Sequence, residues 1–380
     1  MNDAVIVAAV RTPVGKRNGS LSGIHPADLA AVVLEEIATR TGIDPGVVDD
    51  VVWGCVSQVG EQTFDVARTA VLSAGWPDSV PATTVDRQCG SSQQAVHFAA
   101  AGLIAGQYDV AVAGGVESMS RIPMGSAAAT GNPLGERYIE RYGSDFPNQG
   151  IGAEMIAEKW ELSRRQLEEF ALLSHERAAA AADGGLFTEE ITPVKAGSAA
   201  VEADEGIRRG GTLEGLAQLK PAFRPGGRIT AATSSQISDG SAALLLTTSE
   251  KAAQLGLMPL ARIHTAVLAG VAPMPMLTGP IPATAKALAR AGLKLDDIGV
   301  FEVNEAFASV VLAWAAETGA DMSKVNPRGG AIALGHPLGA SGARLMTTML
   351  SHMRDNQIRY GLQVMCEGGG QANATVIELL

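Results

Sequence analysis

One cysteine, Cys89, has the local sequence of a reactive nucleophile. It follows a β-branched run, Thr83 to Val85, and precedes the small residues 90–92 and an Ala-rich segment. Because a helix N-terminus stabilises negative charge, we expect it to lower the pKa of the Cys89 thiol, so that the thiolate attacks a carbonyl carbon. The alternative is a small buried cysteine that packs at a helix start. The helical face is predicted from the spacing of Ala95, Phe98, Ala99 and Leu103.

Three further residues that can do chemistry lie in the second half of the chain. Asn304 follows a strand-like run, at the position where open α/β sheets bind ligands. His336 lies in a Gly-rich loop, a poor position for a core residue, and Cys366 ends an apolar strand before three glycines. Taken singly, each has an ordinary explanation: Asn304 as a turn former, His336 as a surface residue and Cys366 as a packed strand cysteine. With Cys89 they supply a nucleophile, a base, an amide and a second thiol, which favours acyl transfer through a thioester.

The elements that position these residues are predicted from hydrophobic periodicity. The chain begins with a buried strand that ends at Thr12 and Pro13. A helix over 26–41 follows, with Pro26 in its first turn and Gly42 after its end. Further patterns predict a strand over 51–56, a helix over 66–74 and a strand over 243–249.

Two pairs of similar segments predict two related βαβαβ halves. Chance similarity between Gly-rich α/β segments is the alternative. The pairs are 41–56 with 291–307, and 90–96 plus 113–115 with 339–345 plus 366–370.

Residues 118–229 interrupt this pattern. An amphipathic helix is predicted over 151–160, and a second begins after Ser163, which forms a capping-box pattern with Gln166. The region also contains a basic run, for which a solvated loop is the ordinary explanation and a phosphate-binding lid the functional alternative. The run comprises Arg208, Arg209, Lys220, Arg224 and Arg228.

The composition excludes several classes of protein. With 380 residues, 46% hydrophobic content and 44 glycines, the chain is long enough for well-buried α/β domains. A net charge of −11 argues against nucleic-acid binding, and three widely spaced cysteines argue against a zinc site or a disulfide scaffold. No membrane-spanning run or signal peptide is recognisable, so we expect a cytoplasmic protein without a membrane partner.

The motifs resemble those of the thiolase family over essentially the whole chain. The histidine run and the Asn304 string, in this order after the Cys89 segment, are highly specific. The sequence lacks the signatures of competing classes, namely GxGxxG, GxSxG, a complete P-loop and HExxH. The matching strings are VIVAAVRTPVGK, the Cys89 segment, AGGVESMS, SSQISDGSAALLL, NEAFA, GGAIALGHPLGASGAR and CEGGGQA.

The resemblance implies an α/β fold of the thiolase type. Two related βαβαβ halves with mixed five-stranded sheets would stack in an α/β/α/β/α arrangement, and the chain would assemble as a homodimer or homotetramer. The predicted N-terminal half comprises 1–117 and 230–252, and the C-terminal half comprises 253–380. The inserted loop domain, 118–229, would bind CoA and substrate and form oligomer contacts.

The resemblance also implies a role for each site residue. Cys89 would attack the 3-oxo carbon of a 3-oxoacyl-CoA while His336 takes its proton. Cleavage would release acetyl-CoA as an enolate equivalent, held by His336 and a water on Asn304, and Cys366 would supply a proton. CoA, deprotonated by Cys366, would then collect the acyl group. His336 and Asn304 would thus form one oxyanion hole. A second would use the N–H groups of Cys89 and Gly368. No metal or other cofactor is implied, and coenzyme A is a co-substrate.

For the CoA-binding residues, the resemblance maps Ser235 to the pantetheine. It maps Arg208 and Phe223 to the adenine end. Gln149 stands among the substrate contacts, where short-chain biosynthetic members tend to have methionine.

Two further differences from the common pattern are Glu367, where the family often has a small or apolar residue, and Pro327-Arg328 before Gly329. Together with Gln149 they favour a degradative enzyme for bulky or ring-derived acyl chains, as in lipid or steroid breakdown. The role of Glu367 is open at this point.

Three alternatives remain at the level of sequence. A biosynthetic acetoacetyl-CoA thiolase would condense two acetyl-CoA molecules. A ketoacyl synthase on the same scaffold would lack a second active-site cysteine, which Cys366 argues against. A non-catalytic acyl-CoA-binding protein would not need Cys89, His336, Asn304 and Cys366 together.

Overall fold

The computed structural model describes residues 2–144 and 147–380. Met1 and residues 145–146, which fall in the predicted N-terminal half and inserted domain, lie outside the described residues. The helices are α1 Pro26–Thr41, α2 Val66–Ser73, α3 Ser91–Ala105, α4 Glu136–Tyr142, α5 Gln149–Lys159, α6 Arg164–Asp183, α7 Leu213–Ala217, α8 Ser249–Leu255, α9 Pro280–Ala291, α10 Ala308–Thr318, α11 Ala331–Leu334 and α12 Ser341–Asn356. The strands are β1 Val5–Arg11, β2 Gly15–Lys16, β3 Asp50–Gly54, β4 Ala82–Val85, β5 Val110–Ser118, β6 Val194–Ala196, β7 Ala199–Val201, β8 Ser238–Thr247, β9 Ala261–Gly270, β10 Val300–Val303, β11 Tyr360–Glu367 and β12 Gln371–Leu379.

Local sequence signals determine where several helices begin and end. Helix α1 has the predicted bounds, because Pro26 suits a first turn and Gly42 adopts the left-handed conformation that ends the helix (φ +67°). Helix α6 begins with the predicted capping box of Ser163 and Gln166. The helix predicted over 151–160 forms as α5. None of the described helices is long and apolar enough to cross a membrane.

The two predicted halves are present and have equivalent strand orders. In the first half the order is β4-β3-β5-β8-β1, and in the second it is β10-β11-β12-β9. Each half has parallel strands on one side and antiparallel strands on the other. Antiparallel pairing of β1 with β9, at Val5–Arg262 and Ile6–Ala261, joins the two half-sheets into one.

The expectation of two five-stranded sheets is wrong for the second half. Among the described residues, its fifth position, beside β10, contains only an isolated parallel bridge between Phe301 and Val325. The next residue, Asn326, uses both side-chain atoms on the backbone N–H and C=O of Val303, at 2.8 Å each. This side chain takes the place of further strand pairing.

The helices form the predicted layers around these half-sheets. Helices α1 and α2 pack on one face of the first half-sheet, in a core that contains Leu34 and Trp53. Helices α3 and α12 pack together on the other face, with Leu103 and Met346 in a shared core. Helices α9 and α10 cover the second half-sheet, with Trp314 in their core. The result is an α/β/α/β/α arrangement.

The internal repeat is confirmed except for one glycine match. Helices α3 and α12, and strands β5 and β11, begin with the same spacing in the two halves. The predicted match of 113–115 with 366–370 fails. Gly114 and Gly115 lie within β5, whereas residues 368–370 lie in the turn after β11. The predicted face of α3 also contains an error, because Phe98 is 48% exposed while Ala95, Ala99 and Leu103 are buried.

Candidate active site

Cys89 lies at a strand-to-helix junction, as predicted, in the turn between β4 and α3. The preceding residue, Gln88, has a φ of +49°, a conformation that residues other than glycine rarely adopt. Ser91 stabilises this turn, since its Oγ donates to the Gln88 carbonyl at 2.6 Å and accepts the Arg87 N–H at 2.9 Å. Cys89 is therefore held at the N-terminus of a long helix.

The expectation that the helix N-terminus lowers the pKa of Cys89 is wrong. Burial raises the pKa of the thiol to about 12, and the Glu367 carboxylate adds to the rise. The N–H groups of Cys89 and Gly368 face the sulfur and oppose the rise. Full burial shifts a pKa by several units, whereas a helix terminus contributes roughly 1 kcal/mol. The resting thiol is protonated at neutral pH and needs a base.

His336 lies in the loop between α11 and α12, and hydrogen bonds orient its ring. The backbone N–H donates to the Gln236 carbonyl at 3.1 Å and to Ser238 Oγ at 3.2 Å. Ser341 Oγ donates to the Pro337 carbonyl at 2.8 Å, so it accepts from His336 Nδ1, 2.6 Å away. This arrangement places the proton of a neutral ring on Nδ1 and leaves Nε2 as an acceptor.

The free nitrogen of His336 meets the side chain of Asn304. Nε2 lies 3.4 Å from Asn304 Nδ2, and both residues are buried. Burial, and then the charge of Arg344, lower the pKa of His336 to about 3. The imidazole is therefore neutral at physiological pH, which is the state in which it can accept a proton.

Asn304 directly follows β10, and Cys366 is the penultimate residue of the neighbouring strand β11. The Asn304 N–H donates to the Val364 carbonyl at 3.0 Å, so the end of β10 lies beside β11. Burial, and then Cys89 and Glu367, raise the pKa of Cys366 well above its usual range. Met365, the residue before Cys366, packs in one apolar cluster with Cys89, so the two thiols belong to one site.

An apolar cluster packs the three site segments together. It contains Cys89, Leu338 of the His336 loop and Met365 beside Cys366, with Met119 and Leu345 completing it. The structure thus brings together all four residues that the sequence singles out, along with the Gly368 N–H.

Two buried glutamates that sequence analysis missed hold the His336 loop and the short helix α11 before it. Glu117 accepts hydrogen bonds from the N–H groups of Val56 and Gly339, both at 2.9 Å, and so ties the loop after β3 to the His336 loop. Glu305 accepts from Ser174 Oγ at 2.6 Å and from the Ile332 N–H at 3.1 Å. The available signal was an acidic residue inside an apolar run, in AGGVES and in NEAF.

Comparison with known proteins identifies the family. The model of the thiolase N-terminal domain matches residues 4–250, and that of the thiolase C-terminal domain matches residues 257–379. The chain belongs to the thiolase family. It is an acyltransferase, and thiolases act on acyl-CoA and CoA.

Individual thiolases match this one over nearly their full length. The steroid 3-ketoacyl-CoA thiolase FadA6 of Mycobacterium tuberculosis is 52% identical over 388 residues, which cover 100% of this chain and 95% of that protein. The 3-ketoacyl-CoA thiolase of Pseudoalteromonas translucida is 45% identical over 389 residues, covering 100% and 99%. The crystal structure of the Bacillus anthracis acetyl-CoA acetyltransferase superposes with a TM-score of 0.91 at 39% identity, covering 100% and 99%. The curated relatives place the chain among the degradative thiolases.

A cleft of about 320 Å³ in this thiolase lies next to the His336 loop. Arg208 lines it, as does Gln236, whose carbonyl accepts the His336 N–H and whose neighbour is Ser235. The backbone N–H of Arg208 donates to His175 Nδ1 at 3.0 Å. Sequence analysis did not single out His175. The lining is Ala171, Leu172, His175, Arg208, Gly210, Gly211, Thr212, Gly215, Leu216, Leu219, Ala231, Ala232, Gln236 and Ile332.

Phe223 and Gln149 lie outside this lining. The Phe223 ring packs edge-on against Phe307, with centroids 5.7 Å apart, and Phe307 ends the string that begins with Asn304. Gly150 also packs on Phe223, since a Cβ there would lie 2.0 Å from the ring. Gln149, the preceding residue, is half-buried at the start of α5. Both residues therefore lie close to the Asn304 segment of the thiolase site.

Of the five basic residues in this run, three contact the protein itself and one lines the cleft. Among the described residues, Arg208 and Lys220 form no ion pair, and only Arg208 lines the cleft. The others contact the protein itself: Arg209 pairs with Asp183, Arg224 pairs with Glu158, and Arg228 donates to the carbonyls of Ala157 and Leu162. Arg328, which precedes Gly329, is likewise structural, because it pairs with Asp355 and donates to the Leu186 carbonyl.

Proposed function

We propose that this thiolase cleaves 3-oxoacyl-CoA with CoA, through an acyl group held on Cys89. The observation that carries the proposal is that a buried thiol, a neutral histidine with an acceptor Nε2, an amide and a second thiol lie on segments that one apolar cluster packs together. Each group matches one step of a redox-neutral acyl transfer. Coenzyme A is then a co-substrate, and the proposed chemistry uses no other cofactor.

In the first half-reaction, His336 Nε2 accepts the Cys89 proton while the sulfur forms a bond to the 3-oxo carbon. The N–H groups of Cys89 and Gly368, which face the sulfur, are suitably placed to stabilise the resulting oxyanion. The bond between C2 and C3 then breaks, and its electron pair leaves with acetyl-CoA as an enolate. His336 and a water on Asn304 stabilise that enolate, and Cys366 gives C2 its proton.

In the second half-reaction, Cys366 takes the thiol proton of CoA. The CoA sulfur forms a bond to the acyl carbon, and the bond from that carbon to Cys89 breaks. His336 returns its proton to Cys89, so every group regains its starting state. The acyl-enzyme divides one difficult carbon–carbon cleavage into two easier steps.

We further propose that the acyl group is bulky, of the steroid or ring-derived kind. The 52% identity with a steroid 3-ketoacyl-CoA thiolase supports this class. The 39% identity with an acetyl-CoA acetyltransferase supports the alternative, condensation of two acetyl-CoA, less strongly. Ser235, Arg208, Phe223 and Gln149 are the proposed CoA and substrate contacts. A homodimer or homotetramer and a cytoplasmic location stay predictions.

The proposal is tested by intact mass spectrometry after incubation with 3-oxoacyl-CoAs and without free CoA. Short-chain, long-chain and cyclic acyl groups are compared in the wild type, in Cys89→Ala and in the matched control Cys55→Ala, which removes another buried cysteine. We expect a mass increase equal to the shortened acyl chain, largest with the cyclic substrate. It is retained in Cys55→Ala and lost in Cys89→Ala.

Two results would contradict these assignments. If no folded, reduced sample gains mass but CoA still binds, the chain is an acyl-CoA-binding protein rather than a catalyst. If acetoacetyl-CoA and cyclic substrates acylate Cys89 at equal rates, the proposed preference for bulky chains is wrong while the mechanism stands.

A further inference from the structure

Glu367 lies against the N-terminus of α3, directly behind the nucleophile. It follows Cys366 in β11, and because side chains alternate along a strand, the two residues point to opposite faces. The residue is 0% exposed. A Cβ placed on Gly90 would lie 2.0 Å from Glu367 Oε1, so only glycine at the residue after Cys89 leaves room for this carboxyl. The carboxyl therefore packs on the backbone next to the nucleophile.

The Glu367 carboxyl lacks the partners that buried acids usually have. Neither oxygen makes a hydrogen bond of ordinary geometry within the described residues. Asn373 Oδ1 is another acceptor without a hydrogen-bond partner among the described residues. It would lie 2.7 Å from a Cβ placed on Gly90. Arg87 forms no ion pair with this carboxyl within the described residues, and its Nη1 donates to Gln371 Oε1 at 2.7 Å instead. An ionised carboxylate with so little compensation is costly, and its charge acts strongly on its neighbours.

The charged and titratable groups around Glu367 are Asp86, Arg87, Cys89 and Cys366. Burial raises the pKa of Glu367 to about 8, Arg87 and the Asn373 N–H oppose the rise, and Asp86 adds to it. Glu367 in turn raises the pKa of Cys89 and of Cys366. The proposed acyl-transfer steps do not use this carboxyl.

We propose that Glu367 is a positioning residue whose carboxylate charge opposes ionisation of Cys89, so that these two groups at the N-terminus of α3 carry at most one negative charge between them. Two anions beside each other in a buried site repel, and the proton therefore stays on one of the two groups. When Glu367 is ionised, the resting Cys89 thiol is held protonated and unreactive. When Glu367 is protonated, this repulsion is absent. The inference rests on Cys89 as the nucleophile of the proposed function.

The test is the rate at which iodoacetamide alkylates Cys89, located by peptide mass spectrometry between about pH 6 and pH 9.5. The variant is Glu367→Gln, which keeps the shape and removes the charge. Glu35→Gln, an exposed glutamate on α1, is the matched control. At about pH 9 we expect alkylation about tenfold faster in Glu367→Gln, equivalent to one pKa unit of Cys89. At about pH 6 the wild-type carboxyl is protonated, and the rates should converge.

The pH dependence separates this effect from a loosened site. Faster alkylation of the same size at both pH values would mean that the substitution merely exposes Cys89, and equal rates at high pH would mean that Glu367 has no influence; either result overturns the inference. Should Glu367→Gln unfold, Glu367→Met, uncharged and of similar volume, takes its place with the same expected result. Alkylation needs no turnover, so failure of the acyl-adduct experiment leaves this readout intact.

Discussion

The ring of His336 has one hydrogen-bond partner that determines which nitrogen is available. Ser341 Oγ accepts a hydrogen bond from the Nδ1–H group of His336, because its own proton is donated to the Pro337 carbonyl. The sequence predicted His336 as a loop residue with a chemical role, since glycine and proline surround it. It did not predict Ser341, because a serine at a helix start has many common uses. It also gave the wrong direction for the pKa of Cys89, since burial depends on chain segments far apart in sequence.

Substitution of Ser341 tests this orientation at the scale of one residue. In Ser341→Ala, the Nδ1 proton loses its acceptor and the imidazole can rotate or change tautomer. We expect kcat for thiolysis to fall about tenfold with little change in KM, because the effect is on proton transfer. Steady-state kinetics should show rescue by Ser341→Thr, which keeps the hydroxyl. Ser351→Ala, a half-buried serine further along α12, serves as control. A rise in KM together with the fall in kcat in Ser341→Ala would instead indicate a damaged substrate site.

At the scale of elements, the internal repeat and the ends of individual helices were the most predictable features. Helix α1 and the capping box of α6 depend on local signals that sequence displays directly. The sequence pairs residues 113–115 with the wrong glycines, because composition alone does not distinguish a strand glycine from a turn glycine. The sequence predicts Phe98 on the inner face of α3 because its side chain is apolar. Polar side chains take buried positions of this helix instead: Gln93 and His97 both contact Thr375 at 2.7 Å.

The inserted region contains a matched pair for testing CoA recognition. Arg208 lines the cleft, whereas Arg209 forms two contacts with Asp183 at 2.7 and 2.8 Å. If Arg208 binds a phosphate of CoA, Arg208→Ala should raise KM for CoA about tenfold, the loss of one charge-assisted contact, and leave kcat almost unchanged. Arg209→Ala should have the KM of the wild type.

Pantetheine in place of CoA completes this experiment, because it offers the thiol without the nucleotide. Wild type and Arg208→Ala should then react equally. A defect of Arg208→Ala that persists with pantetheine would show that the cleft shape, rather than phosphate binding, depends on this residue.

At the scale of the whole molecule, buried charges link the two halves behind the site. Arg11 pairs with Glu190 at 2.7 Å, and Glu190 lies 4.0 Å from Arg328. Arg344 and Glu302 are buried close by, and neither carboxyl oxygen of Glu302 has a hydrogen-bond partner among the described residues. These residues are far apart in sequence, so no local pattern predicts that they meet. The layered fold could be predicted from the family resemblance, but this charge network could not.

Glu302 predicts how the stability of the whole molecule depends on pH. Burial raises its pKa to about 8; Arg344 and Arg328 oppose the rise, and Glu305 and Glu190 add to it. A glutamate in the unfolded chain has a pKa of about 4.3. Above that pH, Glu302 in the folded protein keeps a proton that the unfolded chain has lost. The free energy of unfolding therefore falls as pH rises towards 8. Buried histidines with lowered pKa act in the opposite sense only below about pH 6.5, the value for an unfolded histidine.

Urea unfolding of the wild type and Glu302→Gln between about pH 6.5 and pH 8 isolates this effect. Glutamine cannot ionise. Over that range the free energy of unfolding of the variant should therefore rise by roughly 2 kcal/mol relative to that of the wild type, because a difference of one bound proton acts over about 1.5 pH units. Contributions from Glu367 and other groups are common to both proteins and cancel in the difference. The exposed control Glu35→Gln should follow the wild type at every pH. Parallel curves for Glu302→Gln and wild type would show that Glu302 is ionised in the folded protein throughout, with Arg344 as its effective partner.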